Sequence, residues 1–216
     1  MTDSQLRQAV IDELEYDPRF DAAHIGVAVD HNVVSLTGHV HSYAEKLFVI
    51  EATKRVKGVH AMAENIEVRY PFQRKTTDDE IAKRACEILG WDVLIPKQSI
   101  DVLVQDGWIT LSGAVEWYYQ KANAEEDVRK LSGVRGVTNK ITINVLANSA
   151  NVKNKIEAAL KRHTELEAKA IKVSVQNGNK VILEGKVDSW DERRAVENAA
   201  WSAAGVAFVE DRLTIV

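Results

Sequence analysis

The chain has 216 residues, 45% hydrophobic and 28% charged, with a net charge of −4. That balance excludes a disordered or fibrous chain, and the acidity excludes the strongly basic surface that tight non-specific nucleic-acid binding needs. No stretch approaches the ~18 apolar residues of a membrane-spanning helix.

The first predicted element is a helix carrying Leu6, Ala9, Val10 and Leu14 at helical spacing, capped by Thr2 or Asp3 and ending before Pro18. Ile25, Val27 and Val29 then alternate, Asp30-His31-Asn32 supplies turn chemistry, and Val34 and Leu36 alternate up to Gly38, so a β-hairpin follows. Ser42-Tyr43-Ala44-Glu45 has the form of a capping box and predicts a second helix from about Tyr43 to Val56. Gly58 ends it, and Ile66 and Val68 alternate as a last strand.

The same order returns after the linker Tyr70-Pro71-Phe72-Gln73-Arg74-Lys75. Thr77-Asp78-Asp79-Glu80 caps a helix with Ile81, Ala85, Ile88 and Leu89, Asp106-Gly107 is a strong hairpin turn, and Ile109 and Leu111 lead to Gly113. A helix with Ala122, Val128 and Leu131 precedes Gly133 and a strand with Ile141 and Ile143. It returns again after Leu146 to Ala150, with Val152, Ile156 and Leu160 on a helix, Asn177-Gly178 at a turn, a capping box at Ser189 to Glu192, and Leu213 and Ile215 on the final strand.

These are internal repeats. Leu36-Thr37-Gly38-His39-Val40 reappears as Leu111-Ser112-Gly113-Ala114-Val115 and Leu183-Glu184-Gly185-Lys186-Val187, and Gly58-Val59, Gly133-Val134 and Gly205-Val206 each lie 20 residues beyond. Three α-β-β-α-β units are predicted, at residues 1–70, 77–146 and 148–216, each long enough for its own core. Their net charges are −4, −3 and +1 for 1–70, 77–147 and 148–216.

A unit of about 70 residues with Leu-x-Gly-x-Val closing the hairpin and Gly-Val closing the second helix resembles the BON domain, the bacterial domain named for osmotic-shock and nodulation proteins. The resemblance spans nearly the whole chain. It implies an α+β fold in which two helices cover one face of a small three-stranded mixed sheet. The hairpin strands pair first and the third strand joins after a helix. It also implies a non-enzymatic role in binding phospholipid surfaces and stabilising membranes or other proteins under stress. Here the start, Met1-Thr2-Asp3-Ser4-Gln5, lacks the form of a signal peptide. The expectation is a cytoplasmic protein that reaches membranes only peripherally, periplasmic if a leader has been removed.

The repeated glycines Gly38, Gly58, Gly113, Gly133, Gly185 and Gly205 read as backbone features, since they carry no side chain for chemistry. Five residues past the first glycine of each repeat stands an aromatic, Tyr43, Tyr118 or Trp190, extended in the second repeat to Trp117-Tyr118-Tyr119. Three adjacent aromatics cannot all face one core, so lipid or partner contact is assigned to Trp108, Trp117, Tyr118, Tyr119 and Trp190. His24, His31, His39, His41 and His60 crowd the first unit, but no Cys partner and no zinc spacing accompanies them. No metal, cofactor, nucleophile–base pair or paired carboxylate site is expected. The one cysteine, Cys86, falls in an apolar helical pattern that predicts a buried thiol.

Two functions stay open. One is peripheral phospholipid binding through exposed aromatics and the basic residues of the third unit. The other is protein interaction or self-assembly, homo-oligomers included, which the acidity of two units favours because it repels anionic lipid.

Overall fold

The structure, a computed structural model, describes residues 1–70, 76–144, 152–162, 171–177 and 179–215. Linker residues 71–75, the connector from Leu146 to Ala150 and turn residue Gly178 lie outside them. Two compact units divide the chain, residues 1–89 with 102–110 and 126–138, and residues 90–101 with 111–125 and 139–216.

The first repeat runs α1 (Asp3–Tyr16), a short 3-10 turn (Ala22–His24), β1 (Ile25–Asp30), β2 (Val33–Val40), α2 (Tyr43–Arg55) and β3 (Ala61–Val68). Thr2 caps α1: its hydroxyl accepts from Gln5 N–H while the Gln5 side chain accepts from Thr2 N–H. That frees Asp3, whose carboxylate accepts the N–H groups of His31 and Asn32 at 3.0 and 3.1 Å and ties the start of α1 to the hairpin turn. Both turn residues have positive φ, the conformation a two-residue hairpin loop needs. β1 and β2 are antiparallel, β2 and β3 parallel, and the order is β1-β2-β3. Leu6, Val10 and Leu14 of α1, Val34, Leu36 and Val40 of β2, Val49 and Ala52 of α2 and Ile66 of β3 form the core.

The second repeat contains α3 (Asp78–Trp91), β4 (Ile100–Gln105), β5 (Trp108–Val115), α4 (Tyr118–Val128) and an edge strand in two pieces, β6 (Gly136–Asn139) and β7 (Thr142–Ile143). Asp78 repeats the clamp of Asp3, accepting from Asp106 and Gly107 N–H at 2.8 and 2.9 Å. Cys86 is exposed rather than buried. Ile81, Ala85 and Leu89 take the inward stripe, and one residue beyond Ala85 the helix has turned by about 100°.

The third repeat contains α5 (Val152–Arg162), β8 (Ile171–Gln176), β9 (Lys180–Val187), α6 (Trp190–Trp201) and β10 (Phe208–Ile215), with sheet order β10-β9-β8. Its core joins Ile156, Leu160, Leu183, Val196 and Leu213.

The first glycine of each motif answers to a close approach. Gly38 has φ +122° and a Cβ there would sit 2.0 Å from the His24 carbonyl oxygen; for Gly113 the values are +125° and 2.1 Å from Ser99. Gly185 also has positive φ, as do Gly58, Gly133 and Gly205 just beyond the second helices.

Candidate binding surface

The capping glutamates reach one residue further back than a simple capping box. Ser42 Oγ accepts from Glu45 N–H, but the Glu45 carboxylate accepts from His41 N–H, and Glu192 likewise accepts from Asp188 N–H. In the second repeat Gln120 Oε1 accepts from both Glu116 and Trp117 N–H. Each glutamate therefore pins the strand-to-helix corner rather than filling the helix's own first-turn donors.

A second device recurs that neither glycine reports. Lys46, Lys121 and Arg193 on the second helices lie 18 residues before Glu64, Asn139 and Asp211 on the last strands. Lys46 Nζ pairs with Glu64 at 2.9 Å and donates to the Ile66 carbonyl, and Arg193 Nε donates to Asp211 Oδ2 at 2.5 Å. Each strand residue also accepts an N–H two residues on, from Ile66, Ile141 or Leu213. With Asn139 in place of an acid, Lys121 donates to the Ile141 carbonyl at 2.8 Å and makes no ion pair with the strand residue. Its burial pushes the ammonium pKa down, against the pull of Glu125. A fixed interval between a base and an acid was the available sequence signal.

The five aromatics assigned to contact are placed differently from one another. Trp108, Trp117 and Tyr119 are exposed. Trp108 opens β5, donates its indole N–H to Thr138 Oγ1 at 2.7 Å and lays its ring where a Cβ of residue 136 would be, so Gly136 makes room for it. Tyr118 stacks on Trp201, ring centroids 4.2 Å apart and 10° from parallel. Trp190 is half-buried at the start of α6, with the Arg193 guanidinium 5.3 Å over its ring.

A more exposed apolar group lies elsewhere. At the end of α3, Trp91 is 85% exposed, and the loop that follows carries Val93 at 94% and Leu94 at 48%. Asp92 fixes this loop by accepting Leu94 N–H at 2.7 Å, while Ile95 turns inward. Sequence reasoning passes over these residues because Leu89, Trp91, Val93 and Ile95 alternate in hydrophobicity like core. Only the path of the loop reveals which of them face water.

The histidines make a row: His24 stacks on His39 with centroids 4.6 Å apart, and His41 meets His39 edge-on at 6.3 Å. Burial first, then Arg69 and the flanking imidazoles, lower the His39 pKa. Parallel stacked rings cannot aim two nitrogens at one ion, and no group of three or more His, Cys, Asp and Glu among the described residues could hold a metal. No helix among the described residues is long and apolar enough to cross a membrane.

The fold and its repeated devices define a tandem α-β-β-α-β protein, each repeat a mixed sheet covered by two helices. The BON domain model matches residues 2–70, 77–145 and 148–216, and the chain belongs to the BON domain family. It is similar to the osmotically-inducible protein Y of Escherichia coli (strain K12), 29% identical over 148 residues that cover 64% of this chain and 71% of that protein. Two solved structures of CdsD, a structural protein of the type III secretion system of Chlamydia trachomatis, align over 98% and 100% of this chain and 92% and 100% of theirs. Their identity is 16% and 15%, and the TM-score of 0.27 is too low to carry weight.

Proposed function

We propose that the protein is a non-enzymatic, peripheral membrane-surface binder built from three BON units, and that the second repeat touches the phospholipid. The observation that carries this is the Trp91–Leu94 tip. A soluble surface rarely holds adjacent large hydrophobic side chains so fully in water, and full burial of one such side chain is worth ~1.5–3 kcal/mol. Tryptophan suits the headgroup boundary, where its ring is apolar and its N–H stays wet.

Charge sharpens the reading. The second unit carries −3, and Lys97 is the only basic residue between Gly90 and Ile100. Coulombic attraction to anionic lipid is therefore a minor term, and shallow insertion of the apolar tip carries the affinity. Binding then extends to zwitterionic vesicles and changes little with salt, unlike a polybasic contact. The relative's name supports a setting in osmotic stress.

Sedimentation with phosphatidylcholine vesicles tests this. Wild type pellets with lipid and its tryptophan emission shifts to the blue; the triple variant Trp91→Ala, Val93→Ser, Leu94→Ser loses at least about tenfold in affinity, ~1.4 kcal/mol. Wild type that stays in the supernatant overturns the proposal. Loss of an oligomer in the variant with vesicle binding unchanged would assign the tip to protein interaction instead.

A further inference from the structure

A second surface, within the unit that holds residues 111–125 and 139–216, differs in chemistry from the tip. Helices α4 and α6 bound a cleft of about 670 Å³ lined by Trp117, Tyr118, Tyr119, Asn123, Asn198 and Trp201 among others. That is within the ~300–1,000 Å³ usual for small-ligand sites. Four aromatic rings stand in it, two of them exposed and two stacked on each other. No charged side chain lines it. The side-chain amides of Asn123 and Asn198 make no hydrogen bond to a described residue.

We propose that this cleft binds a neutral oligosaccharide. A pyranose ring has a C–H face that packs on an aromatic ring and a rim of hydroxyls that both donate and accept. A side-chain amide presents a carbonyl and an NH₂ side by side, which matches two neighbouring hydroxyls. Other occupants fit less well. A purely apolar chain would strip water from both amides and return nothing. A proline-rich strand in the polyproline conformation offers carbonyl acceptors and leaves the amide oxygens unpaired. A phosphate or carboxylate would find no cation in the lining, and Glu125 and Glu197 stand close enough to the Tyr118 hydroxyl to add to the effect of burial in raising its pKa.

The test is calorimetric titration of the full chain with maltohexaose, cellohexaose and chitohexaose, each to about 10 mM, a range that captures affinities near 1 mM. At least one is expected to bind. Trp117→Ala, an exposed position, should weaken that binding about tenfold or more, and Asn123→Ala about threefold, with circular dichroism unchanged in both. Vesicle binding should be the same in wild type and Asn123→Ala, so the cleft and the Trp91–Leu94 tip fail or succeed separately. The proposal is overturned if none of the three sugars binds, if sugar binding survives both substitutions, or if a decaproline peptide binds in the cleft and the sugars do not.

Discussion

The same loop closes the first helix in two repeats and is used in opposite ways. In the first repeat α1 ends at Tyr16, and Asp17 is buried beneath Arg19 and Arg55, with Arg19 Nη2 at 2.6 Å and Arg55 Nη2 at 3.2 Å. Arg55 also pairs with Glu13 at 2.8 Å, so this loop is tied down by an ionic network. In the second repeat α3 ends at Trp91, and Asp92 caps the loop's own Leu94 N–H, its side chain's one hydrogen-bond partner among the described residues. Where the first repeat has Pro18 and Arg19, the second has Val93 and Leu94. The scaffold leaves the backbone role constant and lets the solvent-facing pair decide between a self-contained corner and an apolar tip.

Exchanging that pair is the strongest way to break the comparison. Val93→Pro with Leu94→Arg, which copies the first repeat, should lower vesicle affinity at least about tenfold, ~1.4 kcal/mol, since two exposed apolar side chains leave a tip that inserts only shallowly and so realises part of the full burial energy. Thermal stability should barely move, because neither side chain is part of the core. The converse dependence belongs to the first loop. Asp17→Asn leaves two arginines without their buried acid and should cost ~2 kcal/mol in urea unfolding, discounted for the partial exposure of both guanidiniums, while vesicle binding stays as in wild type.

Acid sharpens the same contrast. The Arg19 guanidinium beside Asp17 holds its carboxyl far below the usual carboxylate range, outweighing the opposing effect of burial. A depressed folded-state pKa means stability that is fully present above the unfolded value, near 4, and is lost as pH falls below it. The urea midpoint should hold from neutral pH to about 5 and drop below about 4. Asp17→Asn should make that drop shallower. If both proteins lose stability in parallel, the ionic network is not what holds the first loop.

Much of this was legible in the chain. The alternation at Ile25 to Val29 and Val34 to Leu36, the turn residues and the paired glycines carried the element order, because those features act locally; the mixed sheet came with the resemblance to the BON domain. Apolar facing was harder to read. Cys86 looked buried because a helical stripe is about 100° wide and one position decides the face. Trp91, Val93 and Leu94 drew no assignment because hydrophobicity in a sequence does not say whether the fold supplies a partner. The 18-residue interval from Lys46 to Glu64 was present in the letters. Asn139 hid its regularity by replacing the acid in the second repeat.

The smallest effects sharpen the picture at its edges. Tyr16→Ala removes an exposed aromatic at the position of Trp91 without its apolar neighbours, and it should change vesicle affinity by less than about twofold and stability by less than ~0.5 kcal/mol. Cys86 should react with a maleimide in native buffer as completely as in denaturant, as its exposure requires.

The most direct measurement places a nitroxide on the tip. In a Cys86→Ala background, Val93→Cys carries the label and Pro18→Cys, an exposed position, serves as its counterpart in the first repeat. On addition of phosphatidylcholine vesicles, the label at 93 should gain collisions with oxygen and lose them with an aqueous nickel complex, while the label at 18 keeps its aqueous profile. A label at 93 that stays fully accessible to nickel while the protein pellets with the vesicles would contradict insertion of the second-repeat tip.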